Sequence, residues 1–354
     1  MTTLFDPVRL GDIDLASRII MAPMTRSRAG DGDAPTDLNV EYYRQRATAG
    51  LIVTEGTQPS ATGKGYCRTP GIHTSRQIAG WRKVTDAVHA EGSRIVLQIM
   101  HCGRIASRFN KDPGAETVAP SAIQAKGQMF TDAAGMVDFD VPRELDIAEI
   151  PAVIDEFRQA TVNALLAGFD GVELHCASGY LPMQFLSTGT NQRKDHYGGP
   201  VVNRIRAVVE MLEAMCGVAG AGRVGLRICP GVVFNDIHDD DPAKTYTALL
   251  QAVDPMHLAY LHLIRFRSPQ VDGEAVAKAN FTGSLILNDS ITFEHGSRMV
   301  DSGEAAALSF ARYYLANPDL VRRFREGAEL AHFDRKTLYT PGPKGYTDYP
   351  TLGG

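Results

Sequence analysis

Short apolar runs alternate along the chain with longer amphipathic stretches. Eight runs are rich in Ile, Val and Leu, at residues 18–23, 51–56, 94–100, 169–175, 223–228, 258–264, 284–288 and 306–311. Continuous apolar runs of this length are typical of strands buried on both faces. Apolar spacing near 3.6 residues predicts helices between them, most clearly at residues 76–91, 149–167 and 203–216.

The alternation of strand and helix predicts an α/β fold with a parallel sheet. Eight repeats favour a closed (β/α)8 TIM barrel that takes residues 1–354 as one domain. Residues 8–15 predict a small N-terminal hairpin around Gly11 and Asp12. Residues 103–148 form a long insertion after the third strand, which we expect to carry its own small structure on the active-site face.

The composition is that of an ordinary globular protein and limits the classes of partner. Hydrophobic residues make up 44% of the 354 positions, and the net charge is −5 with both signs mixed along the chain. This mixture argues against nucleic acid and anionic membranes as partners. No apolar run approaches the ~20 residues of a membrane span, and the N-terminus lacks a signal pattern. Five widely spaced cysteines without a CxxC pair predict free thiols and a cytoplasmic location.

In a barrel, the residues that follow each strand converge on one face. Here they are mostly neutral hydrogen-bonding groups with two arginines and a phenol: Pro23, Met24, Thr25, Glu55, Gly56, Gln98, Met100, His101, His175, Ser178, Tyr180, Arg227, Asn288, Asp289 and Arg312. The set has no carboxylate cluster for glycoside hydrolysis and no GxSxG elbow for a serine triad. The acidic stretch 238–241 predicts a solvated loop, so no metal site is expected.

The remaining groups suit a phosphate-bearing heterocycle. Arginine pairs well with phosphate or a ring carbonyl, and Gln and Thr pair with the edge of a heterocycle. The late loops of this fold commonly hold a phosphate. A flavin mononucleotide across the barrel mouth fits this set, and on these residues alone other phosphate ligands fit as well.

Longer stretches carry a resemblance to a known family. They are RIIMAPMTRSRA (18–29), residues 35–57, GYCRTPGI (65–72), residues 80–104, AGFDGVELHCASGYLPMQFL (167–186), NQRKDHYGG (191–199), ANPDL (316–320) and GYTDYPTL (345–352). The chain resembles the old yellow enzymes, FMN-dependent ene-reductases with a (β/α)8 barrel. The resemblance implies that NADPH or NADH reduces FMN, which then passes a hydride to the β-carbon of an enone, enal or nitroalkene.

The resemblance also assigns roles to individual positions. In the family motif His-x-x-Asn/His-x-Tyr, here His175, Ser178 and Tyr180, the first two residues hold the substrate oxygen and the Tyr gives the proton. Arg227 would lie near flavin N1, and Arg312 would bind the phosphate. The expected FMN contacts are Pro23, Met24, Thr25, Gly56, Gln98, His175, Arg227, Asp289, Ser290, Ala311 and Arg312. The expected substrate contacts are Thr25, Tyr66, Met100, His175, Ser178 and Tyr180.

Several positions depart from the family pattern. Ser178 stands where Asn or His is usual, so carbonyl activation is expected to differ. Met100 replaces the usual Trp, which should enlarge the pocket. After the last two strands, Asp289-Ser290 and Ala311-Arg312 replace small residues and Gly-Arg, and the Asp carboxylate should repel a phosphate unless it is turned away.

Three hypotheses follow for function. The first is an NAD(P)H-dependent ene-reductase. The second is a specialised FMN enzyme of a biosynthetic or catabolic pathway that performs isomerisation or dehydrogenation. The third is a flavin-poor barrel that acts as a binding protein. The partner is expected to be a small-molecule alkene, and the protein a monomer or homodimer; the sequence does not determine the natural substrate, the stereochemistry or the choice between NADPH and NADH.

Overall fold

The computed structural model describes residues 2–353, in which eight parallel strands close into a barrel. Within these residues the strands are β1 (Val8–Leu10), β2 (Ile13–Leu15), β3 (Ile19–Met21), β4 (Leu51–Val53), β5 (Arg94–Ile99), β6 (Val118–Ala119), β7 (Gln128–Thr131), β8 (Gly135–Asp138), β9 (Arg143–Glu144), β10 (Gly171–Cys176), β11 (Val224–Ile228), β12 (Tyr260–Ile264), β13 (Leu285–Asn288) and β14 (Ala307–Phe310). The barrel order is β3, β4, β5, β10, β11, β12, β13, β14 and back to β3. All eight predicted strands and the (β/α)8 barrel are confirmed; the assignment of residues 1–354 to one domain stays a prediction.

Helices follow the barrel strands, as the alternation predicted. In the described part of the chain they are α1 (Asp37–Gln45), α2 (Ser75–Ala90), α3 (Ile150–Leu166), α4 (Leu181–Leu186), α5 (Val201–Arg204), α6 (Arg206–Ala219), α7 (Pro242–Val253), α8 (Gly273–Asn280), α9 (Phe293–Asp301), α10 (Arg312–Ala316) and α11 (Leu320–Glu326). Thr74 and Gln77 form a capping box that begins α2, and the apolar face of α3 is buried at Val153 and Phe157. No helix among residues 2–353 is both long and apolar enough to cross a membrane.

The predicted hairpin closes the bottom of the barrel. Strands β1 and β2 pair antiparallel, and Gly11 turns the chain with a positive φ of 57°. A Cβ at Gly11 would lie 2.4 Å from the carbonyl oxygen of Gly222, so glycine also permits this close approach. The apolar side chains of Leu10, Ile13 and Leu15 pack against the inward residues at the N-terminal ends of the barrel strands.

The long insertion carries its own small structure, as predicted. Strands β7 and β8 form an antiparallel hairpin, and β6 pairs in parallel with β9. Met129 and Phe139 of this segment are buried in a small cluster with Met100 and Tyr180. The insertion therefore supplies a wall at the C-terminal end of the barrel.

The strand register places five polar residues side by side inside the barrel. Glu173 is opposite Gln98 on β5, and Arg227 on β11 lies between His175 on β10 and His262 on β12. Residues two apart on a strand share a face, so Glu173 and His175 both point inward. Polar groups from four consecutive barrel strands thus meet beneath the active-site face.

Candidate active site

A cavity of about 810 Å³ opens at the C-terminal ends of the barrel strands. Ten of the predicted site residues line it: Pro23, Thr25, Gly56, Tyr66, Gln98, Met100, His175, Ser178, Tyr180 and Arg227. The insertion and a C-terminal segment that includes Arg335 and Tyr339 complete its walls. The volume lies in the range of small-molecule and cofactor sites.

The remaining phosphate-end residues line a second cavity of about 360 Å³. Asn288, Asp289, Ser290, Ser309, Ala311 and Arg312 are among its walls. A hydrogen bond links residues of the two cavities: Nη2 of Arg227, in the larger one, donates to Oδ1 of Asn288, in the smaller one, at 2.8 Å. The structure therefore puts the ring-binding and phosphate-binding candidates in adjacent cavities on one face of the barrel.

Two residues expected at this face turn into the surrounding structure, whereas the FMN contact expected of Met24 stays a prediction. The side chain of Met24 packs against the hydrophobic core. Glu55 is buried and accepts hydrogen bonds from the backbone N–H of Arg26 at 3.1 Å and from the Tyr43 hydroxyl at 3.3 Å. Nδ1 of His101 accepts a hydrogen bond from the backbone N–H of Gly103, and its side chain is fully buried. The expectation that Glu55 and His101 join the strand-end set is wrong, because both side chains turn into the surrounding structure.

A buried polar network forms the floor of the larger cavity. Nε2 of Gln98 donates to Oε1 of Glu173 at 2.8 Å, and Nδ1 of His262 lies 2.8 Å from Oε2 of Glu173. Nη1 of Arg227 lies 2.9 Å from Nε2 of His262. A charged residue inside a buried strand needs partners, and Arg227 contacts Asn288 and His262 while Glu173 supplies a nearby negative charge.

The network contains one negative and one positive side chain. Burial raises the pKa of Glu173, but His262, Arg227 and Gln98 outweigh it and lower the pKa to about 2. Burial, together with the positive charge of Arg227, lowers the pKa of His262 to about 4. Burial also lowers the pKa of Arg227, against the raising effect of Glu173, while an arginine in a protein remains a cation. At neutral pH the floor therefore holds a carboxylate, a neutral imidazole and a guanidinium.

His175 is a neutral imidazole beside Tyr180. Burial and the charge of Arg227 lower the pKa of His175 to about 3. Its Nδ1 is buried without a hydrogen-bond partner among residues 2–353. The two ring centroids of His175 and Tyr180 are 5.0 Å apart. An unpaired buried nitrogen is uncommon in folded proteins and marks a position where a ligand could supply the missing partner.

Tyr180 is a buried phenol paired with a second tyrosine. Its hydroxyl lies 3.1 Å from that of Tyr66, and either oxygen could donate. Burial raises the pKa of Tyr180 well above its usual value, so the phenol keeps its proton at neutral pH. The group is therefore in the form that a proton donor needs.

The turn between His175 and Tyr180 has left-handed backbone. Ser178 has a φ of 56° and Gly179 a φ of 80°. The carbonyl oxygen of Ser178 accepts a hydrogen bond from Nδ2 of Asn235 at 2.8 Å. A Cβ at Gly179 would lie 3.0 Å from the Cβ of Asn235, so glycine lets the loop that follows β11 approach this turn.

The smaller cavity, where the FMN phosphate is expected, also has left-handed backbone, but at residues larger than glycine. Asp289 has a φ of 74° and Ser290 a φ of 55°, in the region that glycine occupies with the least strain. The Asp289 carboxylate forms an ion pair with the Arg312 guanidinium. The carboxylate that the sequence placed near the phosphate site thus contacts the arginine that was expected to bind the phosphate.

The acidic stretch 238–241 is a structural loop. Asp241 caps the N-terminus of α7 by accepting the backbone N–H of Lys244 at 3.0 Å. Asp239 lies 3.6 Å from Arg204, and Asp240 lies 3.0 Å from His238. The Asp239 side chain is buried, unlike the solvated loop expected here, and its Oδ2 has no hydrogen-bond partner among residues 2–353.

Sequence reasoning missed several residues of the site. Glu173 and His262 interrupt the apolar runs 169–175 and 258–264, and a charged residue within a buried run was a signal that something must pair with it. Asn235 left no such signal, because its loop is remote in sequence from the residues it contacts. The same is true of the C-terminal segment, of which Arg335, Lys336, Tyr339 and Thr340 line the cavity.

The chain is similar to known proteins along nearly its whole length. The profile of the NADH:flavin oxidoreductase / NADH oxidase family matches residues 3–331. 12-oxophytodienoate reductase 1 of Oryza sativa subsp. japonica is 41% identical over 360 residues, which cover 99% of this chain and 93% of the rice protein. A probable flavin mononucleotide-dependent alkene reductase of Leishmania infantum is 40% identical, covering 99% of this chain and 97% of that protein. The structure of morphinone reductase in complex with tetrahydroNAD superposes with a TM-score of 0.94 at 41% identity, covering 100% of this chain and 99% of the other.

Proposed function

The chain belongs to the NADH:flavin oxidoreductase / NADH oxidase family, and we propose that it reduces the C=C bond of activated alkenes with FMN and NAD(P)H. The proposed substrates are enones, enals and nitroalkenes. The observation that carries this proposal is the protonated Tyr180 phenol beside the neutral His175, at the wall of a cavity whose floor holds Gln98 and Arg227.

The residues of the two cavities fit FMN. Gln98, Thr25 and Arg227 offer donors for the carbonyl and nitrogen edge of a flat heterocycle, and Arg312 borders the adjacent cavity. His175 has a buried nitrogen without a protein partner, as expected where a polar ligand contacts the wall. Bound FMN supplies the hydride that reaches the β-carbon of the alkene, after reduction by the nicotinamide nucleotide.

Arg227 stabilises negative charge at the floor of the cavity. The guanidinium is held by Asn288 and His262, and the nearby Glu173 carboxylate compensates part of its charge. Such a fixed cation would stabilise negative charge on a bound heterocycle without having to reorganise. Gln98, which lines the cavity, is oriented by its hydrogen bond to Glu173.

His175 and Ser178 hold the oxygen of the substrate. Negative charge builds on a carbonyl or nitro oxygen when a hydride reaches the β-carbon, and aimed donors stabilise it. A neutral imidazole has one N–H to donate, and the low pKa of His175 keeps it in that form. The Ser178 hydroxyl is a shorter donor than the usual amide, so a substrate must sit deeper or be reached through a water.

Tyr180 completes the addition of two hydrogens across the double bond. Its O–H bond breaks, a C–H bond forms at the α-carbon, and solvent restores the phenolic proton. Burial keeps the phenol protonated until the developing carbanion pulls the proton away. The Tyr66 hydroxyl at 3.1 Å restricts the rotation of the Tyr180 hydroxyl.

Cationic side chains at the mouth of the cavity favour a phosphorylated reductant. Lys126, Arg335 and Lys336 line the outer part of the larger cavity, with Asp236 as the acidic side chain among its walls. Three cations attract the pyrophosphate of a nicotinamide nucleotide and gain further from a 2′-phosphate. We therefore propose NADPH in preference to NADH.

Two features keep the specialised enzyme as a second candidate. Ser178 and Met100 differ from the residues common at these positions, so the pocket could select one pathway substrate for isomerisation or dehydrogenation. Family membership and the donor set around the cavity speak against the flavin-poor binding protein.

The five free cysteines agree with a reducing compartment, and we propose a cytoplasmic monomer or homodimer.

The test is turnover by the purified protein. A yellow preparation that NADPH or NADH bleaches anaerobically, and that a small cyclic enone reoxidises, supports the proposal. A protein that carries FMN but oxidises no NAD(P)H with any enone, enal or nitroalkene contradicts it. Activity on one elaborate substrate alone would favour the specialised enzyme, and a colourless protein that FMN cannot reconstitute would favour the binding protein.

A further inference from the structure

Asn235 approaches the catalytic turn from a different element of the barrel. It lies in the loop that follows β11, and its Nδ2 donates to the carbonyl oxygen of Ser178 at 2.8 Å. Its Cβ would be 3.0 Å from a Cβ at Gly179, the residue between Ser178 and Tyr180. Its side chain also borders the cavity together with Tyr66 and Tyr180. One amide is thus packed against the turn that carries the proton donor.

The same amide and the two phenols line one cavity. Burial raises the pKa of Tyr66 and of Tyr180, and the nearby Asn235 amide acts in the opposite direction on both. An amide N–H near a phenol oxygen favours the ionised form of the phenol. A donor of this kind stabilises the phenolate that Tyr180 becomes at the moment when it gives up its proton.

The loop is held in place by the insertion. The Arg104 side chain donates to the carbonyl oxygens of Asn235 and Asp236, and its Nη2 lies 3.7 Å from the Asp236 carboxylate. The backbone N–H of Lys126 donates to Asp236 at 3.1 Å. Asn235 itself has a φ of 61°, a conformation that asparagine adopts more readily than most residues. Both the contacts and the residue type fix the position of the amide.

We propose that Asn235 is a positioning residue for the proton transfer: it holds the turn at Ser178 and directs the Tyr180 hydroxyl toward the α-carbon of the substrate. The second position of the motif, Ser178, has a hydroxyl where an amide is common. Asn235 thereby brings an amide to the site from another loop. The inference rests on the proposed function, because it concerns the protonation step of alkene reduction.

The experiment separates the two half-reactions of the holoenzyme. Asn235→Gly removes the amide and accepts the same positive φ without strain. Asn235→Asp keeps the shape but replaces the N–H donor by a carboxylate. Flavin reduction by NADPH and reoxidation by 2-cyclohexenone are each followed by stopped-flow absorbance. Val233→Ala, an exposed change in the same loop, controls for general effects of mutation there.

Both Asn235 variants are expected to slow reoxidation by about tenfold or more, since they weaken general acid catalysis. Flavin reduction, which needs no proton from Tyr180, should remain within about twofold of the wild type. In a Tyr180→Phe background, Asn235→Gly should add no further loss, because a positioning residue acts through the group it positions. 3-Fluorotyrosine at position 180 should also show a changed ¹⁹F shift in Asn235→Gly without any turnover.

Three results would overturn the inference. They are equal slowing of both half-reactions, a full additional loss in the Tyr180→Phe background, and reoxidation by Asn235→Gly at the wild-type rate. If Asn235→Gly fails to fold or to retain FMN, Asn235→Asp carries the same comparison. An inactive wild-type enzyme would instead contradict the proposed function, so the two failures are distinguishable.

Discussion

Asp289 forms an ion pair with Arg312 across the smaller cavity, although Arg312 is the residue that we propose for the FMN phosphate. Asp289 also has a φ of 74°, which a β-carbon makes costly. Phosphate binding therefore has to displace a carboxylate from its partner. The arrangement should reduce the affinity of the protein for FMN without abolishing it, since both side chains are partly exposed and the pair is screened by solvent.

Replacing Asp289 by glycine should tighten FMN binding. The change removes the competing carboxylate and relieves the backbone at once, and we expect the Kd for FMN to fall by about fivefold. The measurement is quenching of FMN fluorescence by the apoprotein. Ser290→Gly is the matched control, because it relieves a φ of 55° without removing a charge. Equal affinities for the two glycine variants would show that the Asp289 charge is irrelevant to phosphate binding.

Ser178→Asn should accelerate the reduction of simple enones. An amide reaches farther into the pocket than a hydroxyl, and asparagine tolerates the φ of 56° at this position. We expect kcat to rise by roughly tenfold on 2-cyclohexenone, a fraction of the ~100-fold effect that one well-placed oxyanion donor can have. Ser178→Gly, which fits the backbone but donates nothing, should not be faster than the wild type. An unchanged or lower rate for Ser178→Asn would mean that the pocket holds its substrate in another way.

Tyr180→Phe should impair only one half of the catalytic cycle. Without the phenol no positioned acid protonates the α-carbon, so reoxidation by an enone should slow by about 100-fold or more. Bleaching by NADPH should be unaffected. Tyr66→Phe removes the neighbouring hydroxyl and keeps the acid, and we expect a smaller loss for it. A Tyr180→Phe enzyme that still reduces enones at the normal rate would place the proton donor elsewhere, in solvent or at another residue.

Lowering the pH should begin to destabilise the fold at pH values well above the usual pKa of carboxylates. Burial lowers the pKa of His101 and His175 to about 3 and that of His262 to about 4. Histidine titrates near 6.5 in an unfolded chain, so between ~6.5 and these values the unfolded state binds more protons. As the pH is lowered through this window, the free energy of unfolding should therefore decrease, by up to ~1.4 kcal/mol per pH unit for each histidine.

Urea unfolding at pH 7, 6 and 5 measures this loss. His101→Asn should reduce the slope against pH, and His332→Asn, at an exposed position, should leave it as in the wild type. A slope that His101→Asn does not change would mean that His101 binds its proton equally well in the folded and the unfolded protein.

The buried carboxyl of Glu55 should have the opposite effect on the pH dependence of stability, over part of the same pH range. Burial raises its pKa to about 7, although hydrogen bonds from Arg26 and Tyr43 lower it. A carboxyl in an unfolded chain titrates near ~4.3, so between that value and 7 the folded state holds the extra proton. Its contribution to stability is present at low pH and is lost as the pH rises toward 7. Glu55→Gln should gain stability relative to the wild type between pH 5 and 8, and a constant difference across that range would contradict the assignment.

The repeat of strand and helix was readable in advance because burial on both faces leaves a continuous apolar run in the sequence. Residues 169–175 predicted a strand in this way, and β10 occupies Gly171–Cys176. The site at the strand ends was readable because a barrel puts those ends on one face. His175 and Tyr180 were predicted as neighbours on the strength of the motif, and their rings lie 5.0 Å apart.

Other contacts in the site could not be predicted from the sequence. Asn235 and Ser178 are 57 positions apart, and neither the hydrogen bond between them nor the approach at Gly179 leaves a local pattern. His101 was expected at the active-site face, yet its side chain turns toward the insertion, a choice made by side-chain packing. The same holds for Glu55, which pairs with Tyr43 and the backbone of Arg26.

By itself the sequence determined the barrel, the face on which the site lies and the chemical types gathered there, because periodicity and strand ends are local properties. Only the tertiary structure decided which of these groups pair. It set the pKa of Glu173 and His262 by burying them together with Arg227, and it placed Asp289 against Arg312. Charge pairing and desolvation depend on distances between segments remote in sequence, and those distances exist only after the chain has folded.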